Sequence, residues 1–175
     1  FLTTYQQSLR VPLIVRGPGV PEGMRIDTPV SLVDLAPTLI ALAGLPAEAG
    51  LDGLDFSQLW RDADGQSFAD RYLFGEASGG LQQETHLPGA YPIFRSIRQG
   101  NFKLIARSLR SQTDYALYDL SKDPHEWKNL AADPKNKKIM EEHAVHLPKK
   151  QHPILPGRST GHAAYGAANA NIKKN

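Results

Sequence analysis

The sequence predicts an α/β chain built in two parts, and three observations carry that prediction. An apolar run closed by Gly-Pro-Gly, VPLIVRGPGV at 11–20, leads into an apolar stretch of helical period, SLVDLAPTLIALAG at 31–44. Strand, turn and helix in that order are a piece of an α/β unit. Beyond residue 70 the pattern changes to short strands joined by turns and followed by one helix, the order of a small antiparallel sheet packed with a C-terminal helix. The change sets an expected boundary near residue 65. Residues 1–65 read as the end of an α/β domain, 66–148 as the sheet-and-helix subdomain, and 149–175 as a basic, extended or disordered tail rich in Ala, Gly and Asn.

Each element has its own signal. The run at 11–20 reads as a buried strand ending in a tight turn. Leu32, Leu35, Leu39 and Leu42 then recur at steps of three and four, the spacing of one helix face. Pro37 fits only in a first turn, because its ring clashes with a preceding one, so Asp34 is the expected N-cap. Gly44 and Pro46 end the helix. Residues 46–70 are mostly connection, with FSQLW as one helical turn. RYLFGE at 71–76 is a strand, and ASGGLQQETHLPGAY at 77–91 is a long polar loop of the kind that is usually functional or mobile. IFRSIRQGNFKLIAR at 93–107 is a hairpin turning at Gln99-Gly100-Asn101, and YALYDL at 115–120 is the next strand. The last helix has Asp133 as N-cap, Pro134 at its first position and Pro148 as its stop. Ile139, Met140, Ala144 and Leu147 form its inward face.

The 175 residues are 41% hydrophobic and 22% charged, which are globular values, and no run is long enough to span a membrane. With no cysteine, the chain holds no disulfide, thiolate nucleophile or Cys-based zinc site. Its net charge of +2 comes from the tail: five of the 20 basic residues follow Pro148, leaving 15 against 18 acidic ones before it. A nucleic-acid binder needs a clustered basic face with stacking aromatics, and neither is present. The first residues carry no Met and no basic-then-apolar leader, so the chain reads as an internal start.

The densest group of potential ligands is KDPHEW at 122–127. Asp followed by Pro, with Glu three residues on, has the spacing of a capping box: Asp123 accepts from the first free N–H groups of a helical turn and Glu126 reaches back. That use of both carboxylates leaves no metal site. His143 and His146, three apart on the last helix, read as a solvated edge. Arg10 and Arg16 could bind an oxyanion, but flanking a strand they read as local anchors. Of Arg95, Arg98 and Lys103 on the hairpin, Arg95 shares the face of the inward Ile93, Ile97 and Ile105 only at its edge. Trp60 and Trp127 read as packing residues.

Several of these motifs, in this order, resemble the C-terminal part of sulfatases, members of the alkaline phosphatase superfamily. They are YQQSLRVPLIVRGPGV, PVSLVDLAPTLIALAGLP, LDGLDFSQLW, SIRQGNFKLI and LYDL followed by KDPHEWKNLA. DPHEWKNLA and HLPKKQHPILPG are most similar in wording to bacterial sulfatases of the iduronate-2-sulfatase type. The resemblance covers about residues 1–157.

It implies an alkaline-phosphatase-like α/β domain plus the small antiparallel sheet, and a parent enzyme that hydrolyses sulfate esters, of a sulfated sugar. The family's nucleophile is a formylglycine made from Cys or Ser in a C/S-x-P-x-R motif, and calcium holds the sulfate oxygens. This chain has neither motif, and Phe1 stands at or next to the place of the family's sulfate-contacting lysine. The resemblance therefore implies an inactive isolated chain with no catalytic residue and no metal ligand of its own, completed by the N-terminal catalytic part of the same protein. It also implies a periplasmic or extracellular setting. Glu76 and His86, in or beside the 77–91 loop, are the candidate substrate-binding residues. Two other readings stay open: a phosphate or phosphonate ester hydrolase of the same superfamily, and a stand-alone non-catalytic binding domain.

Overall fold

A computed structural model describes residues 3–60, 68, 70–78, 92–109 and 111–147. The chain divides into two units, Phe1–Pro12 with Tyr72–Lys149 and Leu13–Arg71 with Lys150–Asn175.

The first unit is an antiparallel meander in the order β1 (Leu73–Ser78), β2 (Ile93–Gln99), β3 (Phe102–Leu109) and β4 (Gln112–Asp119). Gln99 opposes Phe102 around a two-residue Gly100-Asn101 turn, as the hairpin signal predicts, and Gly100 has φ +54°. Strand alternation sorts the side chains onto two faces. One face carries Ile97, Leu104, Ala106 and Leu117, which pack with Tyr72 and Leu147 and with Ile139, Met140 and Ala144. The last four come from α3 (Lys137–His146) and its end, so the inward face predicted for this helix is observed. Asp133 accepts from the Lys135 N–H at 3.0 Å, and Pro134 opens a 3₁₀ turn that runs into the helix.

The other face carries Ser96, Arg98, Lys103, Ile105 and Tyr118, and the N-terminal segment crosses it. That segment contains the single turn α1 (Gln6–Leu9). Gly75 permits the crossing: a Cβ there would lie 2.9 Å from Leu9 Cδ1 and 2.8 Å from Ser96 Oγ. The register places Ile105 opposite Ser96 and Ile97 opposite Leu104. Ile105 therefore faces away from Ile97, which corrects the single inward set of isoleucines. Their strands are antiparallel neighbours, and side chains alternate along each strand, so Ile105, opposed to Ser96, lies on the face that Ile97 does not.

In the second unit, α2 (Leu35–Leu42) follows a 3₁₀ turn at Leu32–Asp34. Asp34 stands at the N-cap position of α2, as expected, but its side chain makes no cap bond to that helix; it completes instead a capping box with Ser31, the cap of the 3₁₀ turn, whose N–H donates to Asp34 Oδ2 at 2.7 Å. Gly44, at φ +67°, closes α2 with a Schellman pattern, Leu45 N–H to Ile40 O and Gly44 N–H to Ala41 O, both 3.1 Å. Leu35 and Leu42 pack with Phe56, Leu59, Trp60 and Phe68, whereas Leu32 and Leu39 stay 70% and 61% exposed. The four-leucine face is thus only half used here.

Asp34 is the polar centre of this unit. It also accepts from the Leu54 N–H at 2.9 Å and pairs with both terminal nitrogens of Arg71, which lies over the Phe68 ring. Thr38 Oγ1 donates to Asp34 O and accepts from the Phe56 N–H, which ties the 3₁₀ turn Phe56–Trp60 to α2.

Residues 11–20 are not a buried strand. Val15 and Val20 pack inward, but Ile14 is 91% exposed, and no strand pairs with the run among the described residues. An apolar run becomes a strand only where a neighbour accepts its backbone hydrogen bonds.

Candidate functional site

The KDPHEW segment is a turn, not a helix, and its two carboxylates part company. Asp123 does act as a local cap: it accepts from Trp127 N–H at 3.1 Å and Lys128 N–H at 2.7 Å. These backbone bonds hold its carboxyl below the usual carboxylate range. Glu126 does not reach back toward Asp123. It turns under the sheet with φ +58°, the positive-φ non-glycine among the described residues. Its Oε1 accepts from Lys103 Nζ at 2.6 Å and its Oε2 from the Gln6 N–H at 2.5 Å. The capping-box reading fails because a buried lysine outbids a solvated turn for the carboxylate. Burial pushes the Lys103 amine down, against the opposing pull of Glu126.

Around this pair the N-terminal segment is fastened to the sheet. Tyr5 meets Tyr118 edge-on at 6.2 Å, and burial followed by the contact with Tyr5 raises the Tyr118 phenol. Thr4 is fully buried. Arg98 opposes Lys103 across β2 and β3 and shares its face. Its Nε donates to Gly100 O at 2.9 Å, and burial first, then the Arg10 charge, lower its guanidinium.

The structure separates the other candidates. Glu76 is exposed on β1, opposite Arg95 in the register. His86 lies outside the described residues, as does the loop from Gly79 to Tyr91. Arg95 donates to Ser108 Oγ at 3.2 Å. Arg10 and Arg16 are exposed. His143 and His146 are not a solvated edge: they flank Tyr72, His143 edge-on at 6.1 Å and His146 stacked at 4.4 Å. His143 is buried and donates from Nδ1 to Ile139 O at 2.8 Å. Trp60 packs as predicted, but Trp127 is 84% exposed and stacks on His125.

Among the described residues no three His, Asp or Glu side chains could hold a metal together, and no helix is long and apolar enough to cross a membrane. The Lys103–Glu126 pair escaped the sequence reading. Its signal was a lysine in the middle of NFKLIAR, where a core-facing charge demands a partner.

Residues 2–152 match the sequence profile of the N-sulphoglucosamine sulphohydrolase C-terminal family. The chain is 30% identical over 132 residues to arylsulfatase K of Mus musculus, covering 75% of this chain and 23% of that protein. It is 32% identical over 131 residues to a choline-sulfatase of Rhizobium meliloti strain 1021, with coverage of 75% and 23%. Among solved structures, a 2-O GAG sulfatase aligns with a TM-score of 0.57 at 30% identity, covering 74% of this chain and 27% of that one. The chain thus spans about a quarter of the length of these relatives, and its sheet-and-helix architecture is that of sulfatase structures. By sequence and by fold, it belongs to the C-terminal domain family of the sulphohydrolases.

Proposed function

We propose that the chain is the C-terminal part of a sulfatase that hydrolyses sulfate esters of a saccharide. Membership of the sulphohydrolase family over residues 2–152 carries this reading. The relatives are arylsulfatase and choline-sulfatase by name, and the structural neighbour acts on a GAG. On this reading residues 13–65 close the α/β domain, 66–148 form the small subdomain on which the N-terminal segment, first grouped with 1–65, lies, and the protein works in the periplasm or outside the cell.

The formylglycine and calcium expected of the complete enzyme do not fit this chain. It has no cysteine and no Ser-x-Pro-x-Arg, and its buried or turn-bound carboxylates Asp34, Asp123 and Glu126 are spent on backbone caps and ion pairs. No catalytic step is therefore assigned to it. On this reading its own residues fasten the segment 3–9 to the sheet, and Glu76 and His86 are the residues that would meet the substrate.

The test is an assay of the 175-residue chain and of the complete protein with a sulfated disaccharide and an aryl sulfate in the presence of calcium. The reading requires turnover by the complete protein and none by the chain above a buffer blank. A complete protein that releases phosphate from an aryl phosphate, and no sulfate from either ester, would overturn it.

A further inference from the structure

Trp127 is 84% exposed, yet the backbone that carries it is tied down on both sides. Asp123 accepts from its N–H at 3.1 Å and from the Lys128 N–H at 2.7 Å. Glu126, the residue before it, is buried in the ion pair with Lys103. Asn129, two residues after it, accepts through Oδ1 from the Leu117 N–H of β4 at 3.0 Å and from the Ala131 N–H at 2.9 Å. The side chain is braced as well. The His125 ring stacks on the indole at 5.3 Å and 25°, and the His125 carbonyl accepts from Gln7 Nε2 at 3.4 Å. One face of the indole is therefore backed, and the exposure leaves the other open. A ring held this firmly loses little freedom when a ligand stacks on it.

The surroundings favour one kind of ligand. A tryptophan that anchors a protein partner is ringed by contacts that exclude water. The exposed chain neighbours of Trp127 are Ser121, Lys122, Pro124, His125, Lys128 and Asn129, and all but Pro124 are polar. A saccharide ring suits such a place. Its C–H bonds meet the negative face of the indole, and its hydroxyls stay at a wet rim. Asp123 has its oxygens on backbone N–H groups, and Lys122 is paired with Asp119 at 2.9 Å. Lys128 is exposed and carries the charge that a sulfate group on the sugar attracts.

We propose that Trp127, backed by His125, is a stacking platform for one ring of a saccharide. The choice of ligand rests on the saccharide reading above. The platform binds without turnover. His125 positions the indole, and Asp123 and Asn129 fix the turn that presents it.

The experiment titrates the whole 175-residue chain, with its two tryptophans, and follows the indole N–H resonances. The probes are a sulfated disaccharide, the same disaccharide without sulfate, and sodium sulfate. Both sugars should shift the Trp127 resonance saturably and leave that of Trp60 in place, and sodium sulfate should shift neither. Trp127→Ala should keep the parent's melting temperature and weaken sugar binding, read at the Lys128 amide, by about tenfold or more, the value of one stacked ring. Trp127→Phe should recover part of that loss, because a smaller ring still offers a π face. No saturable shift with either sugar would overturn the proposal, as would an equal shift with sodium sulfate or undiminished affinity in Trp127→Ala. In the complete protein, Trp127→Phe should remove emission that iodide quenches. A Trp127 shielded from iodide there is covered by another part of the protein, which would overturn the proposal too. Shifts with the sugars but no sulfate release by the complete protein would keep the platform and remove the sulfatase reading, and sulfate release without shifts would do the reverse.

Discussion

Lys103 Nζ donates to Glu126 Oε1 at 2.6 Å, with 2% and none of the respective side chains exposed. The pair joins the start of β3 to a turn 23 residues later, and the Gln6 N–H completes it from the N-terminal segment. Three pieces of chain distant in sequence meet on one carboxylate. Glu126 holds a left-handed backbone conformation to get there.

Breaking this pair from one side should be costly. Lys103→Met leaves a buried carboxylate without its cation, and Glu126→Leu a buried ammonium without its anion. Each should lose about 3–5 kcal/mol in urea denaturation of the chain. The double substitution should lose less than the two single ones summed, because neither charge is then stranded. Additive losses would mean the two side chains do not interact.

Gly53 should tolerate no side chain. A Cβ there would sit 2.0 Å from the Val33 carbonyl oxygen and 2.8 Å from Asp34 Cα, both backbone atoms next to the Asp34 hub. Gly53→Ala should therefore cost about 1–3 kcal/mol or more. Gly17→Ala meets nothing within 4 Å and should stay within about 0.5 kcal/mol of the parent. Thermal melts of the two variants make the comparison.

The two tryptophans should behave oppositely. Trp60→Ala removes a buried ring that meets Phe56 edge-on at 5.9 Å and should cost about 3–5 kcal/mol. Trp127→Ala removes an exposed ring and should change stability by no more than about 0.5 kcal/mol. Trp127 fluorescence should be quenched by iodide in the native chain, and that of Trp60 should not.

Acid should weaken the β4 turn. Asp119 accepts from Ser121 Oγ at 2.5 Å and from Lys122 Nζ at 2.9 Å, and these bonds, the serine's first, hold its carboxyl below the usual 3.8. Its folded value is depressed, so the unfolded chain takes up the proton first as the pH falls. The stabilisation is present above 3.8 and is lost as the pH drops through the folded value. Asp119→Asn should flatten the fall in melting temperature between about pH 5 and pH 2. An acid limb as steep as the parent's would assign the effect to other carboxylates.

On the proposed saccharide reading, Glu76→Ala in the complete enzyme should lower kcat/KM on a sulfated disaccharide by about tenfold, the value of one good polar contact. Turnover of an aryl sulfate should hardly change, because that ester has no sugar hydroxyls to meet Glu76. Equal losses on both substrates would indicate a folding defect, and no loss on either would remove Glu76 from the site.

Much of the architecture was legible because its signals are local. The Gly100-Asn101 turn, the Asp133-Pro134 helix start and the inward stripe of α3 each depend on residues within one or two turns of one another. Their order along the chain was enough to suggest the sulfatase resemblance. The same kind of local reading failed where a distant partner competed. Asp123 and Glu126 have capping spacing, yet only Asp123 caps.

By itself, the sequence determined the antiparallel meander, its closing helix and the absence of a cysteine- or serine-derived sulfatase nucleophile motif. Hydrophobic period, turn chemistry and composition are properties of neighbouring residues. Only the tertiary structure decided that Lys103 points into the chain and that Glu126 leaves its turn to meet it. The tertiary structure also decided that Gly75 lets Leu9 lie on the sheet, and that the apolar run at 11–20 has no sheet neighbour among the described residues. The physical reason is desolvation: a buried charge or backbone group takes whichever partner the fold brings within hydrogen-bond reach, and sequence spacing does not encode that distance.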